Sequence, residues 1–170
     1  MKFLSDFRAL LAGLWLGAAC FFSFAVAPSA FAVLENRELA GSLVSRTLMI
    51  INLSGLAIGS ILLLSSFVKR EGLAPFFVWA ERFLLLLLTL ACAAGQFVIA
   101  LWMSFVRAQI GKPIEEVAAD DPLRMQFNNL HQYSVWVLMG AMIAALLVFF
   151  LIGKNSGKNL VVGKKDEFKF

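Results

Sequence analysis

The chain contains four long stretches in which no Lys, Arg, Asp or Glu interrupts a mainly apolar sequence. They cover residues 9–34, 47–68, 83–106 and 125–153. Each stretch is longer than the roughly 20 residues that a helix needs to cross about 30 Å of hydrocarbon. Because backbone groups find no water partners there, we expect all four to be helical. We place the transmembrane spans at about 8–31, 44–68, 77–106 and 128–153.

The composition is typical of a membrane protein and differs from that of a soluble domain. Hydrophobic residues make up 61% of the 170 residues and charged residues only 15%, whereas soluble domains have about 45–50% and about 25%. We therefore predict an all-α fold, a four-helix transmembrane bundle in the lipid bilayer, with a single domain over residues 1–153. Residues 154–170 form a tail with five lysines, which we expect to lie against anionic lipid head groups.

Positive charge is distributed unequally between the segments that flank the predicted spans. Ten Lys and Arg residues lie in the N-terminus, in the second connection with the start of the third span, and in the tail, whereas five lie in the other two connections. Since the cytoplasmic side holds the excess, we predict a multi-pass inner-membrane protein with both termini in the cytoplasm. The net charge of +4 is scattered and forms no basic stripe, so no nucleic-acid partner is expected.

Prolines mark the beginnings of two predicted helices. Asp121 before Pro122 is typical of an N-cap followed by proline at the first helical position, so we expect the last helix to begin about two turns outside the membrane. Pro75 is expected to introduce the third helix. Pro28 lies inside the first span, where we expect a kink rather than an end, because Phe31 continues the apolar face.

Each predicted span carries two small residues four positions apart near its middle. The pairs are Gly13 and Gly17, Gly55 and Gly59, Ala91 and Gly95, and Gly140 and Ala144. Small residues let transmembrane helices approach closely, so we expect a tight waist without a wide aqueous pore. The alternative is that glycine is simply common in membrane helices.

Four uncharged polar side chains lie at a similar depth, in the half of the bundle that the predicted orientation turns outward. They are Ser23, Asn52, Gln96 and Ser134. Their common depth predicts a polar pocket that opens outward. The alternative is interhelical hydrogen bonding, which is worth about 0.6 kcal/mol on average.

Two charged neighbours, Glu81 and Arg82, lie at the cytoplasmic end of the third predicted span. Adjacent residues cannot face each other on one helix. We therefore expect both side chains to extend to the lipid head groups, with Glu81 meeting Lys69 or Arg70 across the connection.

The sequence contains no catalytic motif. His131 is the only histidine, and HExxH, GxSxG, CxxC and glycine-rich phosphate motifs are absent. We predict a protein that is not an enzyme and that has no catalytic residue and no cofactor. The alternative is a copper site formed by Met49, Met103, Met125 and His131 at the outer ends of the helices, because thioether and imidazole groups suit Cu(I). Methionine is otherwise an adaptable packing residue.

The stretch LWLGAACFFSFAVAPSAF at residues 14–31 is followed by Gly41 and Arg46 and, late in the chain, by Leu130-His131 with Ser134. In these residues the chain resembles the transmembrane-protein-205-like family of four-helix membrane proteins. The most distinctive positions are Phe21, Phe22, Val26, Ala27, Pro28 and Phe31. The resemblance implies an integral membrane protein with a domain of unknown function. The chain is also distantly similar to four-helix families linked with copper handling and haem-dependent oxidation, but it lacks the additional histidines that those relatives would use.

These features leave three functional interpretations open. The first is a non-enzymatic protein that binds or helps to move a small solute, or stabilises a partner, through the outward half of the bundle. The second is a metal-linked protein, in copper handling or in a redox complex, that uses His131 and the outer methionines. The third is a structural protein that packs laterally against another membrane protein, or against a second copy of itself, through its small-residue faces.

Overall fold

The computed structural model describes residues 2–67 and 75–166, with side chains for 3–67 and 75–154. These residues form an all-helical fold, as the hydrophobic pattern predicts. Helix α1 comprises Lys2–Phe21, a π-helical segment Phe22–Val26, and Ala27–Val33; helix α2 is Arg37–Ser65. Helix α3 comprises Pro75–Ala94, a second π-helical segment Gly95–Ala100, and Leu101–Ile110, and helix α4 is Pro122–Asp166, after a 3-10 turn at Ile114–Glu116.

All four helices are long and apolar enough to cross a membrane. Their membrane-capable parts are Phe3–Val33, Arg37–Ser65, Pro75–Ile110 and Pro122–Lys154, with 31, 29, 36 and 33 residues. Since about 20 residues suffice to span the hydrocarbon, each helix is long enough to extend beyond it. The second predicted span reaches residue 68, whereas α2 ends at Ser65. The backbone of α4 continues to Asp166, so the described part of the tail is helical.

Contacts between α1 and α4 show that these helices run antiparallel. A Cβ on Gly13 would lie 3.3 Å from the ring of Phe149, whereas Cys20 Sγ lies 3.9 Å from Met142 Sδ. The contacts thus advance along one helix as they retreat along the other. We name the end of the bundle with the connections 34–36 and 111–121 the loop face. The opposite end, where α1 begins and α2 ends, is the terminal face.

Local capping explains where the helices begin and end. Asn36 Oδ1 accepts hydrogen bonds from two backbone N–H groups in the first turn of α2, at 2.8 and 3.1 Å. Asp121 Oδ1 accepts one in the first turn of α4 at 2.8 Å. Pro122 is the first residue of α4 and Pro75 the first of α3, as predicted. Helix α3 ends at Ile110, and the next residue, Gly111, has a left-handed φ of 65°, which favours glycine.

Two π-helical segments interrupt the α-helical hydrogen bonding, one in α1 and one in α3. In α1, the N–H of Ala27 donates to the carbonyl of Phe22, five residues earlier. Pro28 follows directly and has no N–H, so the carbonyl of Phe24 cannot receive its α-helical hydrogen bond. The helix still continues through Pro28 to Val33. Such π-helical turns are rare and occur frequently at functional sites.

The core of the bundle surrounds Trp15. Its indole Nε1 donates a 3.0 Å hydrogen bond to the carbonyl of Ile51, and the residue is only 2% exposed. Gly55 permits this contact, because a Cβ on Gly55 would lie 2.6 Å from both the indole Nε1 and Cys92 Sγ. Phe22 belongs to the same buried cluster. Helices α1, α2 and α3 therefore meet closely at this level.

The small-residue pairs differ in how they are used. Gly59 lies against a side chain of α3, and Gly95 lies against Asn52 of α2. By contrast, a Cβ on Gly17 or on Gly140 would meet nothing within 4 Å among the described residues. Close approach through glycine thus joins α2 to α3, and Gly55 and Gly13 also bring α2 close to α1 and α1 close to α4. The positions of Gly17 on α1 and Gly140 on α4 are open.

Candidate functional site

A cavity of about 380 Å³ opens at the loop face, and all four helices contribute to its wall. Helix α1 contributes Phe31, α2 contributes Gly41, α3 contributes Met103, and α4 contributes Phe127 and His131. The volume falls within the range of about 300–1,000 Å³ that is typical of small-molecule sites. We call this space the loop-face cavity.

Three arginines and two glutamates also line the loop-face cavity. Arg107 Nη2 lies 2.8 Å from Glu38 Oε1, and Arg37 Nε lies 3.5 Å from Glu115 Oε1. Arg124 donates from Nη1 to a backbone carbonyl of the preceding connection. Since a guanidinium group carries five N–H donors, these contacts leave each arginine with N–H groups for a further acceptor.

Polar side chains lie deeper in the bundle, where the π-helical segments of α1 and α3 contact α2. Asn52 is 4% exposed, and its Nδ2 would lie 3.2 Å from a Cβ on Gly95. Gln96 follows Gly95 in the π-helical segment of α3, and Ser23 lies in that of α1. Ser23 Oγ and Gln96 Oε1 are buried and have no hydrogen-bond partner among the described residues. We call Ser23, Asn52 and Gln96 the polar layer.

On three helices, the polar layer lies seven or eight residues from the cavity residue that is nearest to it in sequence. The interval from a cavity residue to the layer is eight residues in α1 and seven in each of α2 and α3. At about 1.5 Å per residue, the layer is about 10–12 Å closer to the middle of the bundle. The intervals are Phe31 to Ser23, Ser45 to Asn52, and Met103 to Gln96.

Ser134, the fourth polar residue of the predicted pocket, lies on α4, which also contacts the π-helical segment of α3. It is half-buried on α4, and within the described part of the chain it makes no hydrogen bond to Ser23, Asn52 or Gln96. It also does not line the loop-face cavity. The structure thus buries polar atoms of three of the four residues, and a binding role for any of them stays a prediction.

The residues that carry the family resemblance divide between the bundle interior, its outer surface and the cavity. Phe22 is 5% exposed and Phe21 is 67% exposed, so the two neighbours face opposite environments. Ala27 packs against the core cluster around the tryptophan of α1. Phe31 and His131 both line the loop-face cavity, although 100 residues of sequence separate them.

Two of the four residues in the copper hypothesis line the loop-face cavity, and two do not. Met103 and His131 belong to its wall. Met49 and Met125 are 37% and 50% exposed and lie outside that wall. No group of three or more His, Cys, Asp and Glu side chains in the described ranges is arranged to hold a metal ion.

A buried ion pair lies at the terminal face, and it corrects the expectation that Glu81 extends to the head groups. Arg8 Nη2 lies 2.7 Å from Glu81 Oε1, and both residues are 1% exposed. Arg8 also donates to Ser65 Oγ at 2.8 Å and to the Leu62 carbonyl at 2.9 Å. Glu81 is buried because Arg8 supplies a charge-assisted partner inside the bundle. One side chain of α1 thus joins α2 and α3.

Comparison with known proteins gives one family match. The family described as "Domain of unknown function (DUF4149)" matches residues 10–112. The matched range includes most of α1, all of α2 and all of α3, whereas the residues that α4 contributes to the loop-face cavity lie beyond it. Comparisons with curated proteins and with solved structures give no match.

Proposed function

This chain belongs to the family of the domain of unknown function DUF4149, and because that description assigns no activity, we propose a function from the geometry. The protein is a non-enzymatic membrane protein that binds a small solute in the loop-face half of its bundle. The observation that carries this proposal is the loop-face cavity of about 380 Å³ with the polar layer beneath it. Concave sites with a few inward polar groups are the usual form of small-molecule sites.

Interhelical hydrogen bonding alone explains the polar layer less well. Trp15 joins helices with its polar atom paired to the Ile51 carbonyl, although Arg8, which also joins helices, leaves Nη1 buried without a partner among the described residues. In the polar layer, Ser23 Oγ and Gln96 Oε1 are buried without a partner among the described residues. An unpaired buried polar atom costs about 1–3 kcal/mol. A bound solute with hydrogen-bonding groups offsets this cost, which supports a binding role.

Two other roles have narrower support. A metal-linked role, in copper handling or in a redox complex, is favoured by Met103 and His131 on one cavity wall, since thioether and imidazole groups suit Cu(I). A lateral partner, either another membrane protein or a second copy of this chain, is favoured by the open positions of Gly17 and Gly140. Neither role uses the polar layer, which is why solute binding is preferred.

The orientation and location of the bundle are part of the same proposal. The excess of Lys and Arg at the terminal face and in the tail supports cytoplasmic termini in a cell inner membrane, so the loop-face cavity opens away from the cytoplasm. The lysines of the tail support contact with anionic lipid head groups. Phe22, Pro28 and Phe31 support the narrower resemblance to transmembrane-protein-205-like proteins.

Native mass spectrometry of the full chain released from lipid nanodiscs tests this function. We expect the wild-type protein to carry a bound small molecule. The double substitution Asn52→Leu and Gln96→Leu is expected to lower its affinity by about tenfold or more, because each lost hydrogen bond is worth about 0.5–1.5 kcal/mol. Ser104→Leu is the matched control, since Ser104 is an exposed hydroxyl residue of α3 outside the cavity wall.

The result contradicts the proposal if the wild-type protein releases no bound molecule. It also contradicts the proposal if the double variant and the Ser104→Leu control retain the molecule equally. A melting curve of each variant in the same nanodiscs shows whether a loss of binding reflects a loss of folding.

A further inference from the structure

The wall of the loop-face cavity has an apolar part and a charged part. Phe31, Met103, Ile114 and Phe127 contribute aromatic, thioether and aliphatic surface from α1, α3, α4 and the connection between α3 and α4. Met103 and Phe127 also pack against a buried cluster near the loop face. The guanidinium groups described above lie around the same space. A ligand that fits both parts is amphipathic.

The charged part of the wall carries an excess of positive charge. Glu38 and Glu115 are each paired with an arginine. Within the described ranges, Arg124 has no carboxylate partner. Its Nη1 donates to the Val117 carbonyl. Asp121 lies near it in sequence, but its Oδ1 caps α4 by accepting backbone N–H groups. Three guanidinium groups and two carboxylates therefore leave one positive charge in the wall.

Two acidic residues outside the wall, Glu116 and Asp120, act on this charge only weakly. Glu116 and Asp120 are exposed and do not line the cavity. Between exposed groups, salt screens charges over about 8 Å at physiological ionic strength. A ligand inside the cavity lies closer to the charged groups of the wall than to Glu116 and Asp120. The wall therefore has the larger effect on which sign of ligand charge is preferred.

Arg107 and Arg124 both line the cavity, and each keeps N–H donors that an anion can bind. Arg107 uses Nη2 for Glu38, while its Nη1 lies 3.8 Å from where a Cβ on Gly41 would be. The absence of a side chain at Gly41 leaves space beside this group. Carboxylates and phosphates bind guanidinium groups through paired N–H donors. Arg107 and Arg124 have N–H groups that donate to no neighbouring residue in the contacts described above. These groups are available to bind a carboxylate or a phosphate.

We propose that the loop-face cavity binds an amphipathic anion, a carboxylate or phosphate ester attached to an apolar chain, with its charged group at Arg107 and Arg124. This inference rests on the proposed function and specifies its ligand class. The apolar chain lies against Phe31 and Phe127. Such chemistry is offered by a free amphiphile and by the head group of an anionic lipid, and the experiment separates the two sources.

The first measurement compares thiol reagents of opposite charge on a cysteine in the cavity wall. In a full chain with Cys20→Ala and Cys92→Ala, His131→Cys places a thiol in the wall and Gln132→Cys places one on the next residue, which is exposed outside it. Reaction rates with anionic sulfonatoethyl and cationic trimethylammonioethyl methanethiosulfonate are measured in phosphatidylcholine nanodiscs. We expect the ratio of the anionic to the cationic reaction rate at 131 to exceed that at 132 by about twofold to fourfold. Arg124 lies seven residues, or about 10 Å, before 131 on α4, and one charge at that distance in water changes each rate by about a factor of two in opposite directions.

Substitutions of arginine show whether the wall causes this preference. Arg124→Gln is expected to bring the ratio of the anionic to the cationic reaction rate at 131 close to the ratio at 132. Arg124→Lys keeps the positive charge, so we expect it to keep the preference for the anionic reagent. Arg46→Gln is the matched control, because Arg46 is an exposed arginine of α2 outside the wall. An equal ratio at 131 and 132, a preference for the cation, or a preference that survives Arg124→Gln overturns the inference.

The second measurement identifies the source of the anion. We expect decanoate to slow the reaction at 131 in phosphatidylcholine nanodiscs and decyltrimethylammonium not to do so. If phosphatidylglycerol in the nanodisc slows it without decanoate, the lipid head group is the ligand, and if only decanoate does, a free amphiphile is. Equal protection by the cation, or protection by neither anion, overturns the inference. A thiol at 131 that reacts with neither reagent shows a closed cavity and contradicts the proposed function itself.

Discussion

At the scale of single residues, Gly55 controls how closely the first three helices approach. Trp15 reaches the Ile51 carbonyl only because no Cβ stands at Gly55. The indole would otherwise lose a buried hydrogen bond, and Cys92 would have to move as well. Gly17 belongs to the same kind of small-residue pair but has nothing within 4 Å of its Cβ position.

We predict that Gly55→Ala lowers the free energy of unfolding by about 1–3 kcal/mol, because an added methyl group overpacks the core. Gly17→Ala is expected to leave stability unchanged or to raise it by up to about 1 kcal/mol, since alanine is the better helix former. Unfolding in nanodiscs, followed by tryptophan fluorescence, measures both. If the two variants change stability equally, the close approach at Gly55 has no energetic role.

A second prediction at this scale concerns the ion pair between Arg8 and Glu81. Glu81→Gln leaves a buried arginine without its carboxylate, and we expect a loss of about 3–5 kcal/mol in unfolding free energy. The control is Glu38→Gln, which removes the carboxylate of a pair whose side chains are 33% and 55% exposed and is expected to cost at most about 1 kcal/mol.

The double substitution Arg8→Met and Glu81→Leu is expected to restore much of the loss that Glu81→Gln causes, because apolar replacement removes both buried charges. If Glu81→Gln and Glu38→Gln have equal effects on the unfolding free energy, the terminal-face pair does not stabilise the bundle. The same unfolding measurement in nanodiscs gives all three values.

At the scale of helices, the start of α4 positions two side chains of the loop-face cavity, Arg124 and Phe127. Asp121→Ala removes the N-cap of α4 and is expected to lower stability by about 1 kcal/mol. Asp120→Ala is the matched control, because Asp120 is an exposed neighbour with no hydrogen bond to the helix among the described residues. Equal melting temperatures for the two variants would count against capping by Asp121.

Helix positions follow from the sequence more directly than helix contacts do. The apolar stretches fix four helices, and Asp121 with Pro122 fixes the start of α4 because capping depends on adjacent residues. The π-helical segment of α3 has no comparable sequence signal. In α1, Pro28 indicates an irregular hydrogen-bond pattern but does not say that the chain widens before it rather than kinks.

The candidate site was predictable only in part, because it depends on which helices become neighbours. Common depth groups Ser23, Asn52, Gln96 and Ser134 in the sequence, and a shared binding role for them stays a prediction. Pairing Arg8 with Glu81 requires knowing that α1 and α3 meet at the terminal face. The opposite charges of these residues, both near the terminal-face ends of their helices, are the only sequence feature that points to the pair. The arginines of the cavity lie on three helices, so no local pattern reveals them.

At the scale of the whole molecule, we expect the bundle to be open at the loop face and closed at the terminal face. The loop-face cavity is open at one end of the bundle, and the polar layer is buried beneath it. The cluster around Trp15 includes Phe22 and Ile51 at the level of the polar layer, and the pair of Arg8 with Glu81 fills the interior at the terminal face. Water and solute are therefore expected to reach Ser23 from one side of the membrane only.

Labelling of Ser23→Cys with a membrane-impermeant thiosulfonate tests this claim most directly. The full chain carries Cys20→Ala and Cys92→Ala, and the reagent is added to spheroplasts and to inverted membrane vesicles. Ala119→Cys, exposed in the connection at the loop face, reports which preparation presents that face. Phe24→Cys is the neighbouring control, because Phe24 is 78% exposed on the outside of the bundle, where hydrocarbon excludes the reagent. We predict that Ser23→Cys is labelled only in the preparation that labels Ala119→Cys, and that Phe24→Cys is labelled in neither. Labelling of Ser23→Cys from the opposite side, or from no side, would contradict the account.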